Sequence, residues 1–544
     1  MNGKRRLTVV AGVLALTATA ALGSGVSTAL AIAGSAAAGP VVTTPAPTST
    51  AGTVTWAVYR ETATLDPIKA FDYPDNAAVA LGCDALVRAN PDMTLSNGIA
   101  TLTTPSPLTI DFTLHSGATF WDGHPVTAAD AVFSLKRAAD PKAGGFYSSV
   151  FDRVKSIIAA GPLKVQVKLS KPDYWLQGEL SSPAGMIVEK AYAQKHGAKF
   201  GTVTGGTMCS GPFMVSSWKT GQGVTFVPNP HYWDTQLTKP KLKQIKLIGV
   251  PDDATLTAGL ETGSISGTYP IALSTLKQLE QNSGVKIYQG PAFGTDALVV
   301  NARSGPMADA RVRRALSMAI DRNGIINAVF HGAATVPHAL EGPGTWGSGK
   351  GVYQAAWNAL PPLNQNLAAA KKLIQQAGAT GKTIRLGTSA QLPSFNTQML
   401  AVQAAAKQIG LNAKLVSVSA ANYFNFFSNP KVQATVDCFL TINYGDYADP
   451  TALYKTIVLA NGSQNFSHYK NPQVTALLDR ARGTADPDAR ATLTAKAQVI
   501  MTHDMVWIPL AMPSTVVVMH KDITGAPATF QYQFGPWGVY LGGA

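Results

Sequence analysis

Few residues of this sequence stand at spacings that do chemistry, and the strongest candidates are acidic. Asn443-Tyr444-Gly445-Asp446-Tyr447-Ala448-Asp449-Pro450 follows a strand-like run, Phe439 to Ile442. A carboxylate such as that of Asp446, in low-dielectric surroundings, makes a charge-assisted hydrogen bond to a cation. An aspartate ahead of a proline also caps turns, and Asp449 before Pro450 fits that role. Gly342-Pro343-Gly344-Thr345-Trp346-Gly347 matches G-x-G-x-x-G. Gly344 to Lys350 nearly matches a P-loop, but Gly351 stands where Ser or Thr is needed. Neither stretch follows a clear strand, so a surface loop is expected. There is no G-x-S-x-G elbow and no H-E-x-x-H pair. The nine histidines show no metal-ligand spacing, and the three cysteines, Cys83, Cys209 and Cys438, form no C-x-x-C. No nucleophile–base pair and no carboxylate pair for hydrolysis can be assembled. No catalytic residue, cofactor or metal site is therefore expected.

The elements that would position these residues alternate between strand and helix. Thr53 to Tyr59, Thr109 to Leu114 and Leu163 to Leu169 alternate at period two. Val224 to Val227 and Lys243 to Val250 are further strands. Phe120-Trp121-Asp122-Gly123-His124-Pro125 turns sharply into a helix that Thr127 caps, with Asp130 as the acidic half of a capping box. Ala128, Ala131, Val132, Leu135 and Ala138 form its apolar face. Asp309 to Arg322 predicts one helix with a buried stripe of Val312, Ala315, Leu316, Ala319 and Ile320. Asn366 to Gly378, Thr397 to Gly410 and Asp488 to His503 are also helical. Such alternation predicts α/β lobes.

At 544 residues the chain exceeds one ordinary core. Lys4-Arg5-Arg6, an apolar run from Leu7 to Leu22, and the A-x-A sites ending at Ala31 and Ala38 predict an export leader over residues 1–38. An uncleaved anchor is the alternative. No Cys lies near the cleavage sites, which excludes a lipid anchor there. Pro40 to Thr50 predicts a disordered, extended linker, assigned to 39–52. Net charge is +13, about +10 without the three leader cations. The basic residues are scattered, so a nucleic-acid partner is not expected.

Several of these stretches carry a resemblance. Phe120, Asp122-Gly123, Pro125-Val126-Thr127-Ala128 and Asp130 resemble the F-x-D-G-x-P-V-T-A-x-D signature of solute-binding protein family 5, the extracytoplasmic peptide-, nickel- and opine-type receptors of ABC importers. Ser210-Gly211-Pro212-Phe213, Asn229 to Trp233, Asp309 to Arg322, and Ile508-Pro509-Leu510 are similar to further motifs of that family. The resemblance implies an α/β fold of the two-lobed periplasmic-binding-protein type II, large cluster. Lobe one would run over 53–296, with an extra subdomain at about 79–204, lobe two over 297–512, and 513–544 would return to lobe one. It implies a monomer that hands a small peptide to a membrane permease. A nickel chelate, oligosaccharide or opine remains open as the ligand, and a secreted hydrolase or signalling receptor as rival roles. It carries ammonium capture to Asp446. It also suggests Glu61, Thr62, Tyr73, Phe293, Thr295, Trp346, Thr441, Ile442, Asn443 and Tyr444 as ligand contacts. Asn443 stands where the family usually has Trp. It places Cys83 and Cys209 near one lobe, which favours a disulfide between them and leaves Cys438 as a buried free thiol.

Overall fold

Period-two strands of Val, Ile and aromatic residues build two large sheets, seen in a computed structural model that describes residues 41–269, 275–389, 393–419 and 422–544. The leader lies outside the described residues. The seven-stranded sheet orders Val285–Gly290, Thr515–His520, Gly267–Thr268, Ala51–Val58, Leu242–Gly249, Gly223–Pro228 and Phe213–Lys219. Its centre is parallel: Ala51–Val58 runs alongside Leu242–Gly249 in register from Ala51 opposite Leu242 to Val58 opposite Gly249. The six-stranded sheet orders Ala334–Thr335, Ile508–Pro513, Thr295–Val300, Cys438–Asn443, Thr383–Ser389 and Asn412–Val418. A four-stranded antiparallel sheet, Ala100–Ser106, Thr109–Leu114, Lys164–Leu169 and Val154–Ala159, stands apart from both. Each sheet organises its own buried cluster, around Trp56 and Trp537, around Leu298 and Phe439, and around Phe112 and Phe120 respectively.

The helix after the sharp turn spans Ala128–Ala139. Thr127 Oγ1 accepts from Asp130 N, and the Asp130 carboxylate accepts from Thr127 N at 3.0 Å, closing the expected capping box. Gly123 sits at φ 88°, a left-handed conformation that glycine reaches without strain.

Two expectations change. The helix expected over 309–322 is two helices, Ala310–Ala319 and Arg322–Phe330. Ile320 is extended, and Asp321 accepts from Gly324 N at 2.9 Å to cap the second. Arg322 is buried and donates to the Ser317, Leu363 and Pro509 carbonyls, which its own helix could not satisfy. The stretch read as a disordered linker is docked from Val41 onward. Val41 N bonds Gln289 O, Thr44 Oγ1 donates to Ala526 O, and Thr48 and Ser49 pair with Gly543. Its prolines suit it to an extended edge, and carbonyls of the C-terminal segment satisfy its free donors.

Cys83 is disulfide-bonded to Cys209, tying the helix Tyr73–Gly82 to the chain entering Phe213–Lys219. Cys438 is a buried free thiol whose pKa burial pushes up.

Candidate functional site

The strand Cys438–Asn443 lies antiparallel to Thr295–Val300, with Asn443 opposite Thr295, Ile442 opposite Asp296 and Thr441 opposite Ala297. This pairing delivers the turn 444–450. Asp449 closes the turn: its Oδ1 accepts from Thr451 N at 2.9 Å and from Thr451 Oγ1 at 2.6 Å. The helix Thr451–Val458 then starts, and one turn in it presents Lys455. Lys455 Nζ pairs with the carboxylate of Glu179, which arrives from the short helix Leu176–Glu179 beyond the four-stranded sheet.

Asp446 sits beside this pair and is half-buried. Its carboxylate receives no hydrogen bond from the described residues. Burial pushes its pKa up, and Lys455 opposes that. Burial likewise raises Glu179, against the attraction of Lys455 and with help from Asp446. Glu179 Oε2 is buried without a partner. Two carboxylates thus share one fixed cation, so the group has room electrostatically for a second.

An aromatic wall stands near. Tyr444 donates to Phe71 O at 3.1 Å, and its ring lies 5.1 Å from Tyr73 and 5.1 Å from Phe530. Phe293 stacks on Phe530 at 4.6 Å. Behind Tyr73, Asp72 accepts from Arg60 Nη2 at 2.9 Å and from the Tyr59 hydroxyl, and Arg60 also pairs with Asp75 at 2.8 Å.

Of the residues singled out from the sequence, Tyr73, Phe293 and Tyr444 therefore converge on one ring, Phe530. Asp446 lies beyond them beside Glu179. Thr441, Ile442 and Asn443 form the strand leading in. Thr441 Oγ1 accepts from the Tyr423 hydroxyl at 2.8 Å, and the buried Asn443 Nδ2 has no partner. Glu61 is half-buried, and its carboxylate makes no hydrogen bond with the described residues. Thr62 donates weakly to Pro74 O at 3.4 Å, and Thr295 donates to Leu340 O at 2.7 Å, so both hydroxyls serve the backbone.

Trp346 stands elsewhere. It is buried in a satellite cluster with Tyr353, Trp357 and Met512. The glycine-rich loop around it packs against the site's turn rather than cradling a phosphate. Gly347 N bonds Ala448 O at 3.0 Å, and a Cβ on Gly347 would come within 2.6 Å of that oxygen.

Glu179, Lys455 and Phe530 were missed. Nothing near Glu179 in sequence marks it, whereas Phe530-Gln531-Tyr532-Gln533-Phe534 alternates aromatic and polar residues in a way that could have been read. No described helix is long and apolar enough to cross a membrane.

The family model for the middle region of bacterial extracellular solute-binding proteins, family 5, matches residues 94–465. The glutathione-binding protein GsiB of Escherichia coli K12 is 25% identical over 482 residues, 85% of this chain and 89% of that protein. The solved structure of the periplasmic binding protein DppA of Helicobacter pylori, in complex with the peptide STSA, superposes with a TM-score of 0.77 at 22% identity. That match covers 89% of this chain and 98% of that one. The binding protein AgaA of A. tumefaciens R10, in complex with agropinic acid, superposes with a TM-score of 0.78 at 21% identity, covering 91% and 98%. The shared fold is the mixed α/β architecture of periplasmic binding proteins.

Proposed function

We propose that this chain, which belongs to the bacterial extracellular solute-binding proteins of family 5, captures a small peptide and delivers it to the permease of an ABC importer. Asp446 carries the proposal. A half-buried carboxylate with no hydrogen-bond donor among the described residues, set beside a second carboxylate and an aromatic wall, suits a peptide α-ammonium. The peptide backbone would lie along the strand ends at Thr441 to Tyr444, taking hydrogen bonds of the kind an added strand takes. Tyr73, Phe293, Glu61 and Tyr444 would line the remainder, while Thr62, Thr295 and Trp346 would support it from behind.

The two large sheets correspond on this view to two lobes, 53–296 with 513–544, and 297–512, with the region 79–204 as an extra subdomain. They close about the ligand by a hinge. The leader would be removed on export, leaving an extracytoplasmic monomer without a lipid anchor. Binding without catalysis and without nucleic acid completes the proposal.

Glutathione and short peptides are the first ligands to try. Binding to the folded state should raise the Tm in proportion to the logarithm of ligand concentration. Asp446→Ala should weaken peptides with free N-termini by about 10- to 100-fold, the worth of a hydrogen bond to a charged group. N-acetylated peptides should lose much less. Equal losses for free and acetylated peptides, measured by calorimetry, would remove Asp446 from ammonium capture. Binding of an opine or nickel chelate in place of every peptide would move the ligand class while leaving the receptor role.

A further inference from the structure

We propose that Asp122, His124 and Glu189 form a site for a divalent transition-metal ion of the zinc class, on the outer face of the region 79–204. The sequence suggested no metal site because Glu189 is remote from the Asp122-Gly123-His124 turn, and only the fold brings it there. One ligand atom from each residue lies within 4.8 Å of the others. His124 Nδ1 is 2.9 Å from Asp122 Oδ2 and 3.2 Å from Glu189 Oε1. Ligands about 2.0–2.2 Å from a tetrahedral zinc lie roughly 3.3–3.6 Å from each other, so the 3.2 Å separation fits such a shell, and the 2.9 Å one would lengthen by a few tenths of an ångström around the ion.

His124 Nδ1 is the side-chain group that both carboxylates share. An imidazole Nδ1 carries at most one proton, yet here it faces two carboxylate oxygens. The Glu189 side chain keeps only 10% exposure, and His124 is its one polar side-chain partner among the described residues. It heads the helix Lys190–His196 but makes no cap hydrogen bond. Asp130 is committed to Thr127 and to Lys190 N. A divalent ion would take the Nδ1 lone pair and both carboxylates at once and neutralise their two charges. Imidazole with carboxylates is a donor set that zinc and its neighbours accept.

The ligands are also held in place. Trp121 N bonds Cys209 O at 3.0 Å and Glu189 N bonds Met208 O at 3.1 Å, so both arms hang on the segment that the Cys83–Cys209 disulfide anchors. His124 N donates to Asp122 Oδ1 at 3.1 Å and orients that carboxylate. His124 remains 71% exposed, which leaves a coordination position open to water.

The test is zinc titration of the full mature chain, free of any purification tag, by competition with a chromophoric chelator. Wild type should bind one zinc ion. Loss of an outer-shell group alone costs about 10- to 100-fold in affinity. His124→Ala and Asp122→Asn, both at exposed positions, should cost at least that, with peptide affinity unchanged. X-ray absorption of the zinc-loaded chain should show one imidazole and oxygen ligands. A wild type that takes up no zinc, a His124→Ala chain that binds like wild type, or an absorption spectrum with sulfur or several imidazoles would overturn the proposal.

Discussion

Asp296 and Asp446 are both carboxylates pushed up by burial, and their company separates their roles. Asp296 Oδ2 accepts from Gln398 at 2.6 Å, its Oδ1 is buried without a partner, and its pKa rises to about 7. An unfolded aspartate titrates near 3.9. Between those values the folded chain holds one more proton than the unfolded chain. Stability from this group therefore increases as pH falls through that window and is lost as pH rises towards 7. The slope reaches at most about 1.4 kcal/mol per pH unit. Urea unfolding of the ligand-free protein at pH 5, 6 and 7 should show that slope reduced in Asp296→Asn. Identical slopes would mean Asp296 is ionised throughout. Peptide binding has the opposite sign. Ammonium capture needs Asp446 charged, so affinity should fall as pH drops through its raised pKa, and Asp446→Ala should flatten the profile.

Among the elements, the turn and helix at 120–139 are specified locally. Thr127 and Asp130 satisfy each other's backbone donors, and Ala131, Leu135 and Ala138 turn inward. Thr127→Ala should cost about 1 kcal/mol in denaturant unfolding, the usual worth of an N-cap. A loss below a few tenths would mean that the Asp130 carboxylate holds the first turn alone. The break at Ile320 is different in kind. The apolar period runs up to Ile320, and Asp321 then caps a new helix by accepting from Gly324 N. The buried Arg322 then reaches carbonyls from three segments, and these acceptors fix the second helix against its surroundings.

At the scale of the whole molecule, ion pairs join the region around the four-stranded sheet to the helix Pro472–Arg482. Arg482 donates to Asp173 Oδ2 and Asp152 Oδ1, both at 2.5 Å, Arg153 pairs with Asp479, and Tyr174 N bonds Arg482 O at 2.9 Å. Asp173 has no side-chain exposure, so removing its partner leaves a buried charge, a loss of about 3–5 kcal/mol. Under the proposed hinge, these contacts form on closure. Arg482→Ala should then enlarge the radius of gyration of the ligand-free protein in small-angle scattering and weaken peptide binding. An unchanged radius together with unchanged affinity would show that closure does not depend on this cluster.

Much of this protein was legible in the sequence because local physics specifies it. Alternating strands such as Thr109–Leu114, the Thr127 cap and the turn capped by Asp449 need only near neighbours. The segment carrying Asp446 was singled out differently, by its resemblance to a family motif. What the sequence could not show is where remote segments meet. Glu179 reaches Lys455, Phe530 gathers Tyr73, Phe293 and Tyr444, and Glu189 completes the Asp122–His124 pair through tertiary packing alone. Trp346 could be placed only by its neighbours, because an aromatic side chain fills core and pocket equally well, and here they are Tyr353, Trp357 and Met512. Local sequence thus determined the elements, and the resemblance of its motifs singled out Asp446. The tertiary structure decided that carboxylate's charge environment, because burial and the distances between charges are properties of the assembled fold.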